Sequence, residues 1–346
     1  MGPPRAASGR EGLAAFDTED QQLERLIDGM HGGEVEPPEA EAPGPDRVKQ
    51  RAWRSGAGCV LLSASAYAFG ALFAKVLGSE IPMLEVTALQ AAIALIATLG
   101  LAYACDVSPI WGPRAKMPLL ALRGLVGAGV FVLAYVGIVI LPLGDALATF
   151  YTNPAFTALF TWLQGMERLN WQKGVGVAAC MAGTALVAQP PFLFGGRVKW
   201  DTHRVLGICG SLSASIGVSI GLLLIVKIGK DVSPLTVTVW FHAATFCVAI
   251  VPTLVGYPQP AVATFSAVEG LLVVGIAGSM IAGQLLLTRG VQLSGATQAA
   301  VIRVSELVFG YAFGALFLDE VPTLVGSLGA VCIMAGVVLV TRSKMD

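Results

Sequence analysis

Ten apolar stretches fill most of this chain: 56–78, 82–105, 117–141, 144–166, 171–191, 204–228, 234–257, 267–291, 295–318 and 322–341. Each approaches or exceeds the roughly 20 apolar residues that carry a helix across a bilayer. Inside hydrocarbon the backbone can satisfy its own hydrogen bonds only in helices or closed barrels. Barrel strands would alternate in polarity over about ten residues, and these runs do not. The sequence therefore predicts a bundle of ten transmembrane helices. A hydrophobic fraction of 55%, a charged fraction of 13% and a mean hydropathy of +0.72 agree with lipid as the principal solvent.

The chain is also written twice. Cys59-Val-Leu-Leu-Ser-Ala-Ser65 returns as Cys209-Gly-Ser-Leu-Ser-Ala-Ser215. Pro82-Met-Leu and Gln90-Ala-Ala match Pro234-Leu-Thr and His242-Ala-Ala, and Met181-Ala-Gly183 matches Met334-Ala-Gly336. Two repeats are expected, 56–191 and 204–341. Each holds five spans, an odd number, so the second enters the membrane in the opposite sense. Inverted repeats around a shared central site are a recurring architecture of secondary transporters.

Basic residues set the expected orientation. Arg47, Lys49, Arg51, Arg54, Arg114, Lys116, Arg168, Lys173, Lys227, Lys230, Arg289, Arg342 and Lys344 fall on one side of the predicted spans, with Lys75, Arg197, Lys199 and Arg204 on the other. The positive-inside rule then puts both termini in the cytosol. Residues 1–50 are rich in Pro, Gly and acidic residues and read as a disordered tail. Within it Thr18-Glu-Asp-Gln21 fits a capping box for a short helix over 18–30, either a partner-binding element or a transient one. The six cysteines sit in or beside the spans without metal-type spacing. No zinc-protease, phosphate-loop or dinucleotide motif is present, so neither an enzyme nor a cofactor is expected, and nothing suggests a nucleic-acid partner.

In the later part of each half the repeat offset is 153, pairing Gly137 with Gly290 and Glu167 with Glu320. It places Thr152-Asn153 opposite Ser305-Glu306, about 13–15 Å into their helices. Symmetry-related polar pairs at mid-depth suit either a central binding site or interhelical hydrogen bonds. Pro154 frees a carbonyl near Phe150, which becomes a further candidate ligand. Arg303, three residues before Glu306, reads as a structural ion pair or as an anion-binding guanidinium that Glu306 controls. Arg123 is shallow enough in its span to snorkel to the cytosolic surface. Gln90 and His242, matched by the repeat, either line a cavity or bridge helices. Tyr67, Tyr135, Tyr151 and Trp240 are candidate cavity walls, Glu85 is expected to be wet, Asp145 suits a helix N-terminus, and Glu167 and Glu320 are expected to tie down loops.

Several segments together resemble a known family. They are Arg123-Gly124-x-x-Gly127, Tyr135, Leu143-Gly-Asp145-Ala146, Phe150-Tyr-Thr-Asn-Pro154-x-Phe156-Thr157, Trp162 and Glu167-Arg168, then Arg303-x-x-Glu306-Leu-Val-Phe309 followed by Asp319-Glu320. Their order over 56–342 resembles the EamA domain of the drug/metabolite transporter superfamily, closest to subfamily G of the solute carrier 35 family. The resemblance implies the ten-helix inverted-repeat fold, a central cavity, and carriage of small polar metabolites such as organic anions, citrate among them. It implies site roles for Arg123, Thr152, Asn153, Arg303 and Glu306. Gln90 or Leu89 stands where many relatives place a basic residue, and Glu306 where an aspartate is more usual. The expected function is transport of a small organic anion, with a coupling proton or counter-substrate as a further partner beside the bilayer. The alternatives are a proton- or cation-coupled amine or amino-acid exporter, and a non-transporting scaffold or receptor. The oligomeric state is not legible.

Overall fold

The computed structural model describes residues 55–77, 81–141, 143–168, 170–195, 201–256, 260, 265–318 and 323–342. The 1–50 tail with its 18–30 helix, and Glu320, lie outside them. The described residues are helical with short connections. In chain order the helices are α1 (Gly56–Leu77), α2 (Met83–Ala104), α3 (Met117–Ile140), α4 (Leu143–Phe150), α5 (Asn153–Leu163), α6 (Trp171–Ala188) and α7 (Pro191–Phe194). They continue as α8 (Thr202–Ile228), α9 (Pro234–Val255), α10 (Ala267–Ser294), α11 (Ala296–Arg303), α12 (Ser305–Phe317) and α13 (Leu324–Arg342).

Among the described residues, eight segments are long and apolar enough to cross a membrane. Two of the ten expected spans are not in that set. The stretch 144–166 is broken into α4 and α5, each too short alone. α6 has the length, but Gln172 and Lys173 in its first turn lower its hydropathy. The stretch 295–318 is also broken, at Val304, between α11 and α12. Large apolar side chains such as Ile96, Tyr103, Leu254 and Leu271 are 72–79% exposed. A chain dissolved in water would bury such a belt, whereas lipid stabilises it. The chain is a multi-pass integral membrane protein.

Packing follows a reciprocal pattern. α1 lies along α10 and α3 along α8; α6 pairs with α13 and α2 with α9. Exchanging each helix for its repeat partner turns the first pairing into the second and leaves the last two unchanged. With lipid outside, close backbone approach takes over much of the role of hydrophobic burial. At the α6–α13 crossing, a Cβ added to Gly183 would lie 2.6 Å from the Gly329 carbonyl oxygen, and one added to Gly336 would lie 2.7 Å from that of Gly176. The two contacts are images of one another under the offset of 153. Only glycine lets the helices meet there.

This contact makes a direct prediction. Gly183→Ala forces the α6–α13 backbones apart and should cost about 1–3 kcal/mol, read as a lower unfolding midpoint of purified protein in detergent. Gly278→Ala, whose added Cβ meets nothing within 4 Å, should leave the midpoint in place.

Candidate functional site

The site begins at the two helix breaks. Pro154 has no N–H to return to the Phe150 carbonyl. The Asn153 side chain supplies the missing donor, at 3.2 Å. Thr152 Oγ1 donates to the Thr149 carbonyl at 2.6 Å and meets Ser215 Oγ at 2.9 Å. Ser219 Oγ, from α8, donates to the Asn153 carbonyl at 3.0 Å. At the second break Ser305 Oγ donates to the Ile302 carbonyl at 2.7 Å. Thr152 and Ser305 therefore make the same bond, each to the carbonyl three residues back. The polar pairs at mid-depth are first of all a repair of the backbone. None of Thr152, Asn153 and Ser305 lines the central cavity of about 600 Å³. The Phe150 carbonyl already accepts the Asn153 side chain, and Thr152 also bonds between helices, to Ser215 of α8.

Glu306, the fourth member of the two pairs, does reach that cavity. It has a volume of about 600 Å³ and is walled by α1, α2, α3, α4, α8, α9 and α10 and by the second break. Its walls are mostly apolar. The charged residues among those described are Arg123, Arg303 and Glu306, one more cation than anion. Arg303 Nε lies 3.6 Å from Glu306 Oε2, an ion pair too long for a hydrogen bond. The guanidinium carbon of Arg303 sits 5.1 Å from the centre of the Tyr67 ring. Tyr151 lines the same cavity as Glu306.

Arg123 overturns its snorkelling expectation. It is 4% exposed. Its guanidinium lies over the Phe241 ring at 5.3 Å, and Nη2 donates to Gln284 Oε1 at 3.3 Å. Depth counted along α3 gives the distance to the helix end but not the helices that cover it. Gln90 lines the cavity, whereas its repeat partner His242 is buried outside it, edge-on to Phe241. Tyr67 and Tyr151 are walls. Trp240 instead donates its ring N–H to the Trp111 carbonyl at 3.1 Å. Glu85 is buried, not wet. Gln284 was not foreseen, since one amide in an apolar helix gives no periodic signal.

The cavity extends to the α1–α2 turn at Ile81 and Pro82, near the end of α3 and the start of α4. Beside that rim Asp145, in the first turn of α4, forms a buried ion pair with Arg204 of α8. The opposite end is tied shut. Lys116 Nζ bonds to Asp231 and to the Ile228 carbonyl, at 2.6 Å each. The Gln292 side chain donates to the carbonyls of Gly229 at 2.8 Å and Val232 at 2.9 Å. The 229–232 turn is thus held from both halves. Nearby, Glu167 Oε1 accepts the Ala296 and Thr297 N–H groups at 2.9 and 3.1 Å, capping α11, while Oε2 pairs with Lys173 at 3.3 Å. Glu167 thus ties down a helix of the other half as well as its own loop.

Comparison with known proteins follows the same division of the chain. The model of the EamA-like transporter family matches residues 54–189 and again 205–342. Human solute carrier family 35 member G1 is 25% identical over 94% of this chain and 95% of its own. The pseudopaline exporter CntI of Pseudomonas aeruginosa (strain UCBPP-PA14) is 27% identical over 67% of this chain and 77% of its own. A solved crystal structure superposes with a TM-score of 0.70 over 84% of this chain and 99% of that one, at 19% identity, a likeness of fold alone.

The closed end carries a pH signature. The hydrogen bond from Lys116 holds the Asp231 carboxyl below its ordinary range. A depressed carboxylate stabilises the fold fully above its unfolded pKa, near 3.8, and loses that contribution as pH falls through the folded value. Asp231→Asn should therefore melt slightly lower than wild type at about pH 6. Because Asp231 is exposed, the difference should be under about 1 kcal/mol. The two melting curves should converge as the buffer is taken below about pH 4.

Proposed function

The chain belongs to the EamA-like transporter family, and from that premise we propose that it carries a small organic anion across its membrane by alternating access. The observation that carries this reading is the charge of the cavity. A mostly apolar cavity holds two guanidiniums and one carboxylate, and a solute anion would restore neutrality where desolvation makes an unmatched cation costly. Arg303 holds the anionic group. Its contact with Glu306 is an ion pair without a hydrogen bond, so a solute oxyanion with better geometry can displace the carboxylate. Glu306 is then the competitor whose protonation or reorientation frees Arg303.

In this reading the protein crosses the membrane ten times, as two inverted repeats over 56–191 and 204–341. Both termini are cytosolic. The reciprocal pairing of α1 with α10 and α3 with α8 supports a two-fold relation, and five spans per half make it an inversion. Arg204, a basic residue on the side opposite the cytosol, is neutralised by Asp145, which supports the assigned orientation. The open rim at the α1–α2 turn then faces away from the cytosol, and Lys116, Asp231 and Gln292 close the cytosolic end. Coupled export of an amine or amino acid would place the cationic group on Glu306. The excess of guanidinium charge in the same cavity disfavours it.

Uptake into proteoliposomes, measured with radiolabelled mono-, di- and tricarboxylates, tests the assignment. Arg303→Gln should cut uptake by about tenfold to a hundredfold, and Arg303→Lys should recover part of it. Glu306→Gln should keep anion binding and flatten the dependence on pH. Full uptake by Arg303→Gln at unchanged apparent affinity would refute the role of Arg303.

A further inference from the structure

We infer that Arg123 forms a second anion-binding subsite in the cavity, separate from Arg303, and that Gln284 positions it. The inference rests on the reading of the cavity as the solute site. A guanidinium carries five N–H donors and a permanent charge. A protein that buries one for structure alone supplies a carboxylate or a full set of acceptors, because an unpaired buried charge destabilises the fold. Arg123 has neither among the described residues. At 4% exposure it makes one hydrogen bond, to the neutral amide of Gln284. Its Nε has no partner. Glu306, the carboxylate of the same cavity, is paired with Arg303.

The surroundings hold the group rigidly while leaving it unmatched. The Phe241 ring covers one part of it. A Cβ added to Gly127, one turn along α3, would lie 2.6 Å from Arg123 Nη1, and one added to Gly221 of α8 would lie 3.8 Å from its guanidinium carbon. Gly127 thus leaves space that the guanidinium fills, and Gly221 lies within van der Waals reach of it. A cation held by α3, α8, α9 and α10 and facing a cavity is suited to an oxyanion, a carboxylate or a phosphate. That oxyanion is either a second anionic group of the transported solute or a free inorganic anion. Gln284 fixes which edge of the fork faces the cavity, and it acts through Arg123.

The test uses the purified full-length chain in detergent, with thermal unfolding and titration calorimetry. Three probes are compared: butyrate, succinate and inorganic phosphate. Wild type should bind succinate about tenfold more tightly than butyrate. Arg123→Met should erase that advantage and leave butyrate binding intact, and Gln284→Leu should reduce the advantage without moving butyrate. Arg303→Gln should instead abolish butyrate binding. Phosphate binding that survives Arg303→Gln but is lost in Arg123→Met would assign the subsite to a free inorganic anion, and the inference would stand. Without any probe, Arg123→Met should melt at or above the wild-type midpoint, because it removes an unmatched charge. A lower midpoint would make Arg123 structural and overturn the inference, as would the absence of any anion effect that depends on Arg123. Butyrate binding lost only in Arg303→Gln would then leave the Arg303 assignment standing, whereas a wild type that binds none of the probes would end both. Should Arg123→Met fail to fold, Arg123→Lys keeps the charge and loses the fork. A succinate advantage undiminished in that variant would also overturn the inference.

Discussion

The structure depends on how backbone hydrogen bonds are satisfied where water cannot reach. A continuous helix meets that demand by itself. This chain interrupts two helices deep in the bundle and must replace the missing donors with side chains. Asn153, Thr152 and Ser305 do so from within their own segments, and Ser219 does so from α8. Because the repairs are local, each break is a fixed feature rather than a frayed end. The second break ends α11 at Arg303 and starts α12 beside Glu306, so the residues that carry charge stand where the backbone changes course.

Charge is then concentrated in one place. Elsewhere among the described residues buried charges meet in pairs, as Asp145 does with Arg204 and Glu167 with Lys173. The cavity departs from this rule. Its ion pair is long, and its second guanidinium has a neutral amide and an aromatic face where a carboxylate would be expected. A uniformly stabilised interior would not leave such groups unmatched, so their presence separates the demands of folding from those of the site.

Eight of the ten expected spans and the doubling were legible because lipid imposes length and apolarity on every crossing segment. The offset of 153 was equally legible, and it pointed to Glu306. It could not say that Thr152, Asn153 and Ser305 serve the backbone. A polar residue next to a break looks the same in sequence whether it faces a carbonyl or a cavity. Arg123 was misjudged because burial is decided by neighbouring helices, here α8, α9 and α10, which a count along α3 does not contain. Gln284 and the fork it meets are 161 residues apart, and no local pattern joins them. The offset of 153 also sets Arg303 opposite Phe150, and this break in the repeat lines the cavity.

α11 has a consequence of its own. It is eight residues long, a rod of about 12 Å, with its N-terminal amides seated on Glu167 and its last residue in the cavity. A two-turn helix barely compresses, so a displacement at Arg303 is delivered to the far end of the rod almost undiminished. Glu167 belongs to the first half of the chain and α11 to the second. A solute that moved Arg303 would therefore push on Glu167 across the seam between the halves, close to the 229–232 turn.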